Sequence, residues 1–127
     1  MRLELRESLL FVPVTLVYRG TRLEIDDLLV DTGSASTLLS IDAVAPLDIY
    51  PETTDNIRRI RGVGGVDYVF SRPVDAISIG GRTASSLEIE FGGLDYGFKM
   101  NGILGLDALL RAGAVLDLKN LTIEFSV

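Results

Sequence analysis

The chain contains no cysteine and no histidine among its 127 residues. Without cysteine it can form no disulfide and has no thiol nucleophile. Without histidine it cannot hold the Ser-His or Cys-His pairs of many hydrolases, nor most kinds of zinc site. Any catalysis must therefore use carboxylates, hydroxyls, lysine, tyrosine or backbone groups, and we expect no metal and no other cofactor.

Positive charge and long apolar runs are also scarce. The chain has 12 Lys and Arg residues and 18 Asp and Glu residues, so its net charge is −6. This charge argues against nucleic acid or an anionic membrane as partner. The longest apolar run, residues 9–17, is interrupted by Pro13 and Thr15 and is shorter than the roughly 20 residues that span a bilayer. The charged N-terminus is a poor signal peptide. We therefore expect no targeting or transmembrane segment, and a cytoplasmic location by default.

Apolar residues are abundant for a chain of this size. The hydrophobic fraction is 47% and the mean hydropathy is +0.34. A chain of this length forms one domain, residues 1–127, with a real hydrophobic core. The high apolar content predicts that part of the surface is covered by a partner.

The distribution of β-branched and aromatic residues predicts an all-β barrel, because short segments rich in them alternate with glycine or polar turns. Strands are predicted at residues 8–18, 22–30, 57–60, 66–70, 74–79, 84–91, 103–105, 114–118 and 121–127. One helix is predicted at residues 107–111, with Asp107 as its N-cap, Arg111 in its last turn and Gly113 as its stop. Residues 41–54 are predicted as loop.

The most informative motif is Asp-Thr-Gly-Ser at residues 31–34, which follows a predicted strand. A strand that ends in Asp-Thr-Gly places one carboxylate at a tight turn, where Gly33 permits a geometry that a Cβ would obstruct. Two such motifs are needed to hold a water between paired carboxylates. The single copy in this chain therefore implies two chains, and a turn aspartate without catalytic partner is the alternative interpretation.

Three separated segments together resemble the retropepsin-like aspartic proteases, including the retroviral enzymes and their bacterial single-domain relatives. They are residues 29–34, the Gly-Val-Gly-Gly of residues 62–65, and Ile-Leu-Gly at residues 103–105 followed by a helix. The resemblance covers roughly residues 8–125. It implies an acid-protease β-barrel with a β-hairpin flap and one short C-terminal helix, acting as a homodimeric aspartic endopeptidase on extended peptides.

The resemblance also implies roles for individual residues. Asp31 matches the catalytic aspartate, supported in its loop by Thr32, Gly33 and Ser34. The Thr32 hydroxyl would reach across the dimer axis, and the Gly33 carbonyl would face the substrate backbone. The implied flap and substrate-binding residues are Arg61, Gly62, Val63, Gly64, Gly65, Ala35 and Ile103.

Four positions depart from the retroviral pattern. Ser34 and Ala35 stand where those enzymes usually carry Ala and Asp, Leu106 replaces an Arg that helps hold the dimer, and Arg61 replaces a glycine. Pepsin-like enzymes carry serine at the first of these positions. We therefore expect the Ser34 hydroxyl to hydrogen-bond the Asp31 carboxylate, to favour its charged form, and to move the working range toward acid.

The implied chemistry uses two Asp31 carboxylates that share one proton. The ionised group takes a proton from a bound water, while the protonated group donates one to the scissile carbonyl oxygen. Water attacks directly, so no acyl-enzyme forms. A closing flap would add hydrogen bonds to an extended peptide and exclude bulk water.

Other interpretations of the same residues remain open. Residues 62–65 could be a plain hairpin turn; a dinucleotide loop fits less well, because the sequence after it predicts a strand and not a helix. Tyr68 could belong to the core or orient the flap. The Asp31 loop lacks the second Asp that haloacid-dehalogenase phosphotransferases need two residues on, where Gly33 stands. The competing functions are a non-catalytic retropepsin-fold module for dimerisation or peptide binding, and a plain β-barrel interaction domain.

Overall fold

The structure, a computed structural model, describes residues 1–62, 65–94 and 99–125. Strands form most of it. In chain order they are β1 (Glu4–Arg6), β2 (Leu9–Tyr18), β3 (Thr21–Val30), β4 (Leu38–Ser40), β5 (Asn56–Gly62), β6 (Gly65–Ile79), β7 (Arg82–Gly92), β8 (Gly102–Leu104), β9 (Ala114–Asp117) and β10 (Thr122–Phe125). Helix α1 spans Leu106–Ala112, and a single 3₁₀ turn spans Ala45–Leu47. The all-β fold class is confirmed.

The strands form two sheets. The larger has the order β1-β2-β3-β8-β4-β7-β6-β5, and β2 also pairs with β6. Successive pairings therefore lead from β2 through β3, β8, β4, β7 and β6 back to β2. Strands β9 and β10 form the second, antiparallel sheet. The parallel pairing of β3 with β8 is what brings the end of β3 next to the start of α1.

A β-bulge shapes the hairpin formed by β2 and β3. Pro13 lies in β2, where the register shifts so that Asp26 and Asp27 have no regular partner. Proline cannot donate to the strand ladder and is found in strands mainly at such irregularities. Asn101 holds the bulge, because its Nδ2 donates to the Asp26 carbonyl at 2.9 Å and its backbone N donates to the Asp27 carbonyl at 2.9 Å.

The core lies between the strands of the larger sheet and is closed by α1. The largest fully buried side chains are Phe91, Leu16, Leu28, Leu39, Ile49, Ile77, Ile79, Ile89, Leu104, Ile123, Val12 and Val44. Phe70 and Phe91 stack with ring centroids 5.5 Å apart. Helix α1 contributes Ala108, Leu109 and Ala112. Burying each large side chain contributes roughly 1.5–3 kcal/mol, so this set dominates the stability of the fold.

The predicted hairpins are confirmed, and the predicted helix is confirmed except at its start. The helix begins at Leu106 with Gly105 at the N-cap, so the assignment of Asp107 as N-cap is wrong. Gly113 ends the helix in the left-handed conformation as predicted, with a φ of 66°. Strands β1 and β4 were not predicted, since each is only three residues long. In the described residues no helix is long and apolar enough to cross a membrane.

Candidate active site

Asp31 lies directly after β3, as the motif predicts, and its side chain is partly exposed. Its backbone N donates to the Leu104 carbonyl of β8 at 3.0 Å, and its own carbonyl accepts from the Ser34 N at 3.2 Å. The Gly33 N donates to the Asp31 Oδ1 at 2.9 Å. A Cβ on Gly33 would lie only 3.2 Å from that oxygen, so glycine permits the close approach. The carboxylate is thus held by the backbone of its own loop.

The Ser34 hydroxyl does not donate a hydrogen bond to the Asp31 carboxylate. It donates to the Ser36 carbonyl at 2.8 Å, and a hydroxyl has only one hydrogen to donate. The expectation that it bonds Asp31 is therefore wrong. The physical reason is that a short hydroxyl in a tight turn competes well for the nearest backbone carbonyl.

Thr37 and Asp107 form a buried connection that our sequence analysis missed. Thr37 is fully buried, and its Oγ1 donates to the Asp107 Oδ1 at 2.8 Å while its backbone N donates to Oδ2 at 3.2 Å. The same Oγ1 accepts from the Gly105 N at 3.1 Å, and Asp107 Oδ1 also accepts from the Ala108 N at 2.8 Å. Asp107 therefore ties the Asp31 loop to the start of α1. A single sequence gives no signal for a pairing across 70 residues.

Gly105 allows the loop and α1 to approach each other. A Cβ at this position would lie 2.5 Å from the Ser36 carbonyl oxygen, which is closer than Cβ atoms in proteins come to other heavy atoms. Next to it, the Leu106 N donates to the Ser34 carbonyl at 2.7 Å. Ile103, the predicted pocket residue, lies one strand over in β8 and is half-buried. The structure therefore brings the predicted loop residues 31–35 and the Ile-Leu-Gly segment together.

The predicted flap corresponds to the hairpin of β5 and β6. Its register pairs Gly62 with Gly65, and the two tip residues Val63 and Gly64 lie outside the described residues. Within the described part of the chain, β6 pairs with β5 alone from residue 65 to residue 68, and its pairing with β7 begins at Val69. Tyr68 is 61% exposed, so the interpretation that it belongs to the core is wrong.

Arg58 holds this hairpin to the neighbouring strand β7. Its Nε donates to the Glu90 Oε2 at 2.9 Å and its Nη2 to Oε1 at 2.6 Å. The Glu90 side chain is largely buried, whereas that of Arg58 is mostly exposed. This two-point contact anchors the middle of β5, which is otherwise an edge strand.

A second ion pair lies at the base of the hairpin. Arg72 is buried, and its Nη2 donates to the Asp55 Oδ2 at 2.5 Å and to the Tyr50 carbonyl at 2.7 Å. The hydrogen bond from Arg72 lowers the pKa of Asp55, helped by the Glu52 N, which also donates to its carboxylate. The same bond raises the pKa of Arg72. The pair fixes the segment before β5 to β6.

An apolar hollow of about 150 Å³ lies beside the Asp31 loop. It is lined by Thr32, Leu106, Leu109, Leu110, Gly113, Ala114 and Leu116. Leu106 is 38% exposed and Leu110 is 70% exposed, so this side of α1 presents apolar surface to solvent. Elsewhere in the described chain, no three acidic side chains are placed to hold a metal ion.

Comparison with known proteins assigns the fold and the family. The sequence profile of a family described as aspartyl protease matches residues 12–108, which is most of the chain and includes the Asp31 loop, the hairpin of β5 and β6 and the start of α1. The chain therefore belongs to the aspartyl protease family.

Among solved structures, the chain is similar to a retropepsin-like aspartic protease from Rickettsia conorii. The TM-score is 0.66 and the sequence identity is 19%, over 95% of this chain and 93% of that one. The likeness confirms the retropepsin-like fold. No curated protein has a matching sequence.

Proposed function

We propose that this protein is a homodimeric aspartic endopeptidase that hydrolyses peptide bonds with a water held between two Asp31 carboxylates. The observation that carries the proposal is the Asp31 loop itself. It presents one partly exposed carboxylate, held by the Gly33 N, in a chain of the aspartyl protease family. Because the chain has one Asp-Thr-Gly motif, a second copy must supply the other carboxylate.

In the proposed reaction the two carboxylates share one proton. The ionised Asp31 removes a proton from water, the oxygen attacks the scissile carbonyl carbon, and the protonated Asp31 of the other copy gives its proton to the carbonyl oxygen. Collapse of the tetrahedral intermediate breaks the C–N bond as the leaving nitrogen takes the proton that the first Asp31 removed from water, and the Asp31 of the other copy takes a proton back from a hydroxyl of the intermediate as the new carboxyl group forms. The Gly33 hydrogen bond holds one carboxylate oxygen in place through these steps.

The proposed dimer places the two Asp31 loops at a two-fold axis. The apolar hollow beside Thr32 supports this arrangement, since Leu106 and Leu110 lie next to the loop and are exposed in the single chain. An apolar Leu106 in place of the retroviral Arg is consistent with a contact between two copies that depends on burial rather than on charge.

The proposed substrate is a peptide in extended conformation, covered by the hairpin of β5 and β6. The flap residues are Arg61, Gly62, Val63, Gly64 and Gly65. Two further substrate-binding residues are proposed, and these are Ala35 and Ile103. Ala35 is exposed in the Asp31 loop, and Ile103 lies in β8 next to it.

The deciding experiment is the variant Asp31→Asn, which keeps the shape of the side chain and removes its ionisation. We expect hydrolysis of an unstructured protein to fall by at least about 1000-fold, with circular dichroism and the unfolding midpoint unchanged. A transition-state analogue of the statine type should inhibit the parent protein. Undiminished hydrolysis by purified Asp31→Asn protein would remove the catalytic assignment.

Assembly is tested by dilution. The specific activity of a dimer whose site needs both copies falls as the protein is diluted below its dissociation constant. We expect that fall together with a matching change in sedimentation. Constant specific activity from a monomer would contradict the dimeric site.

A further inference from the structure

The strongest unassigned feature is a cavity of about 390 Å³ lined by Arg6, Glu7, Leu9, Phe11 and Lys99, here called the Arg6 pocket. Its position relates it to the proposed site. Phe11 in β2 pairs directly with Leu29 in β3, two residues before Asp31. Phe11 therefore lies one strand over from β3 and about two residues, or 7 Å, along the strand direction from Asp31.

Arg6 is held rigidly but its hydrogen-bonding capacity is mostly unused. Its guanidinium carbon lies 3.9 Å from the centroid of the Phe11 ring, and its Nη2 donates to the Asp27 Oδ1 at 3.0 Å. Its Nε is buried without a hydrogen-bond partner in the described residues, with the Glu4 carboxylate 3.5 Å away. A guanidinium carries five N–H donors, and only the bond to Asp27 is formed here among described side chains.

A second cation shares the same carboxylate. The Lys99 Nζ lies 3.7 Å from the Asp27 Oδ2, and the Lys99 side chain is 79% exposed. Asp27 is largely buried and contacts both cations, whereas Glu4 and Glu7 are exposed. Among the described residues, the pocket is therefore lined by two cations and by one exposed carboxylate, that of Glu7, in a chain whose net charge is −6.

We propose that the Arg6 pocket binds an acidic side chain of the substrate and that Arg6 and Lys99 are specificity residues. This inference rests on the proposed peptidase function. An extended peptide advances about 3.3 Å per residue, so a pocket one strand over and about two residues along from Asp31 lies within reach of side chains two or three residues from the scissile bond. The carboxylate accepts charge-assisted bonds from the free guanidinium donors and from the Lys99 ammonium. Two-fold symmetry provides the pocket on both sides of the cleaved bond.

The test uses matched peptides that carry Glu or Gln at each of the three positions on either side of one cleavable bond. For the parent protein we expect kcat/KM to be roughly twofold to fivefold higher with Glu at one of these positions, the range for partly exposed charge pairs. The preference should shrink in about 1 M salt, because the pocket is open to solvent.

The variants Arg6→Gln and Lys99→Gln should each lower the ratio of kcat/KM for Glu over Gln peptides toward one, as expected for loss of a partly exposed charge pair. Lys99 is mostly exposed, so its variant tests the idea without risk to folding. Arg22→Gln is the matched control, since it removes the same charge from the exposed far end of β3. Glu7→Gln, which removes a competing carboxylate at the rim, should raise the ratio.

A ratio near one in the parent protein, or a preference that survives in both the Arg6 and the Lys99 variant, would overturn the proposal. Binding of the same peptides to the Asp31→Asn protein distinguishes failure of the pocket proposal from failure of the proposed peptidase function. If the parent protein cleaves Glu and Gln peptides equally well, the peptidase assignment stands and the pocket proposal is wrong. If Glu peptides bind more tightly than Gln peptides but no form of the protein cleaves them, the pocket proposal stands and the peptidase assignment is wrong.

Discussion

The Asp31 loop and the hairpin of β5 and β6 are held to the rest of the chain in opposite ways. The loop bonds to two separate elements: Asp31 to β8, and Thr37 to Asp107 in α1. Among the described residues, residues 65–68 of β6 have only β5 as a neighbouring strand, and β5 is the edge of the sheet. The loop is fixed at several points by buried groups, whereas the described contacts of the hairpin to other elements lie at its base and in the middle of β5.

The difference matches what each region has to do in the proposed reaction. A carboxylate that exchanges protons must keep its position, because small displacements of reacting groups are costly to rate. A segment that covers a peptide must open and close, and such segments belong to the least stable parts of a fold. A two-stranded ribbon without further support is only marginally stable in water, which suits that second role.

The largest effect should come from separating the loop from α1. In Gly105→Ala the new Cβ would lie 2.5 Å from the Ser36 carbonyl oxygen, so the loop must move. We expect the free energy of unfolding to fall by about 3 kcal/mol and hydrolysis to fall about 100-fold. Urea denaturation and peptide assays measure the two quantities.

Gly81→Ala is the control for this change. Gly81 has a φ of +87°, and a Cβ there would meet nothing within 4 Å. It should cost about 1 kcal/mol of stability through backbone strain alone and leave activity intact. Full activity of Gly105→Ala would show that the loop position is not set by this contact.

The base of the hairpin is tested by Asp55→Asn. Arg72 would lose its hydrogen-bonded ionic partner but keep the Tyr50 carbonyl and the Glu52 carboxylate at 3.7 Å, so we expect the free energy of unfolding to fall by about 2 kcal/mol at neutral pH. Amide exchange should quicken in β5 and remain slow in the Asp31 loop. An equal increase in amide exchange in β5 and in the Asp31 loop would contradict the proposed difference between the two regions.

The same variant makes a prediction about pH. The pKa of Asp55 is lowered in the folded protein, so its contribution to stability is fully present above its ordinary pKa of about 3.9. It is lost as the pH falls through the lower, folded-state pKa. The difference in unfolding free energy between parent and Asp55→Asn should therefore be constant from about pH 7 to about pH 5 and shrink below about pH 4. A difference that grows toward acid would have the wrong sign.

A smaller effect is expected from Arg58→Gln, in the middle of β5. Removing the cation leaves the largely buried Glu90 carboxylate without its two bonds, while Arg58 itself is mostly exposed. We expect a loss of about 1 kcal/mol and faster amide exchange confined to β5 and the facing part of β6. Arg59→Gln, an exposed neighbour on the same strand, is the matched control and should change neither. Slower amide exchange in Arg58→Gln, or an equal effect in Arg58→Gln and Arg59→Gln, would contradict the role of Arg58 as an anchor of β5.

The smallest effect is expected from Ser34→Ala. Its hydroxyl bonds the Ser36 carbonyl and not the Asp31 carboxylate, so the pH profile of hydrolysis should keep its position. Stability should change by less than about 1 kcal/mol. A shift of the activity optimum toward neutral in this variant would show that the hydroxyl does act on the catalytic pair.

The sequence predicted the features that depend on local pattern. The β-branched and aromatic segments that form strands, the turn at residues 80–81 and Gly113 as the helix stop all follow from properties of neighbouring residues, and all are found in the structure. The motif at residues 31–34 located the carboxylate at the end of β3 for the same reason.

What could not be predicted depends on residues far apart in the chain. Asp107 was interpreted as a helix cap because its nearest backbone offers that role, yet its carboxylate binds Thr37 across 70 residues. Arg72 finds Asp55 only after β5 and β6 have paired. For Ser34 the family pattern suggested the wrong acceptor, because two oxygens compete for one hydrogen and only the folded turn decides between them.

The Gly33 bond and the connection from Thr37 to Asp107 hold the Asp31 loop within a single chain. Under the proposed function each chain carries one half of the site, so hydrolysis depends on how often two chains meet. Under this proposal the rate of hydrolysis depends on the local concentration of the chain. Dilute chains are inactive, and any scaffold that brings two chains together activates hydrolysis without a covalent change.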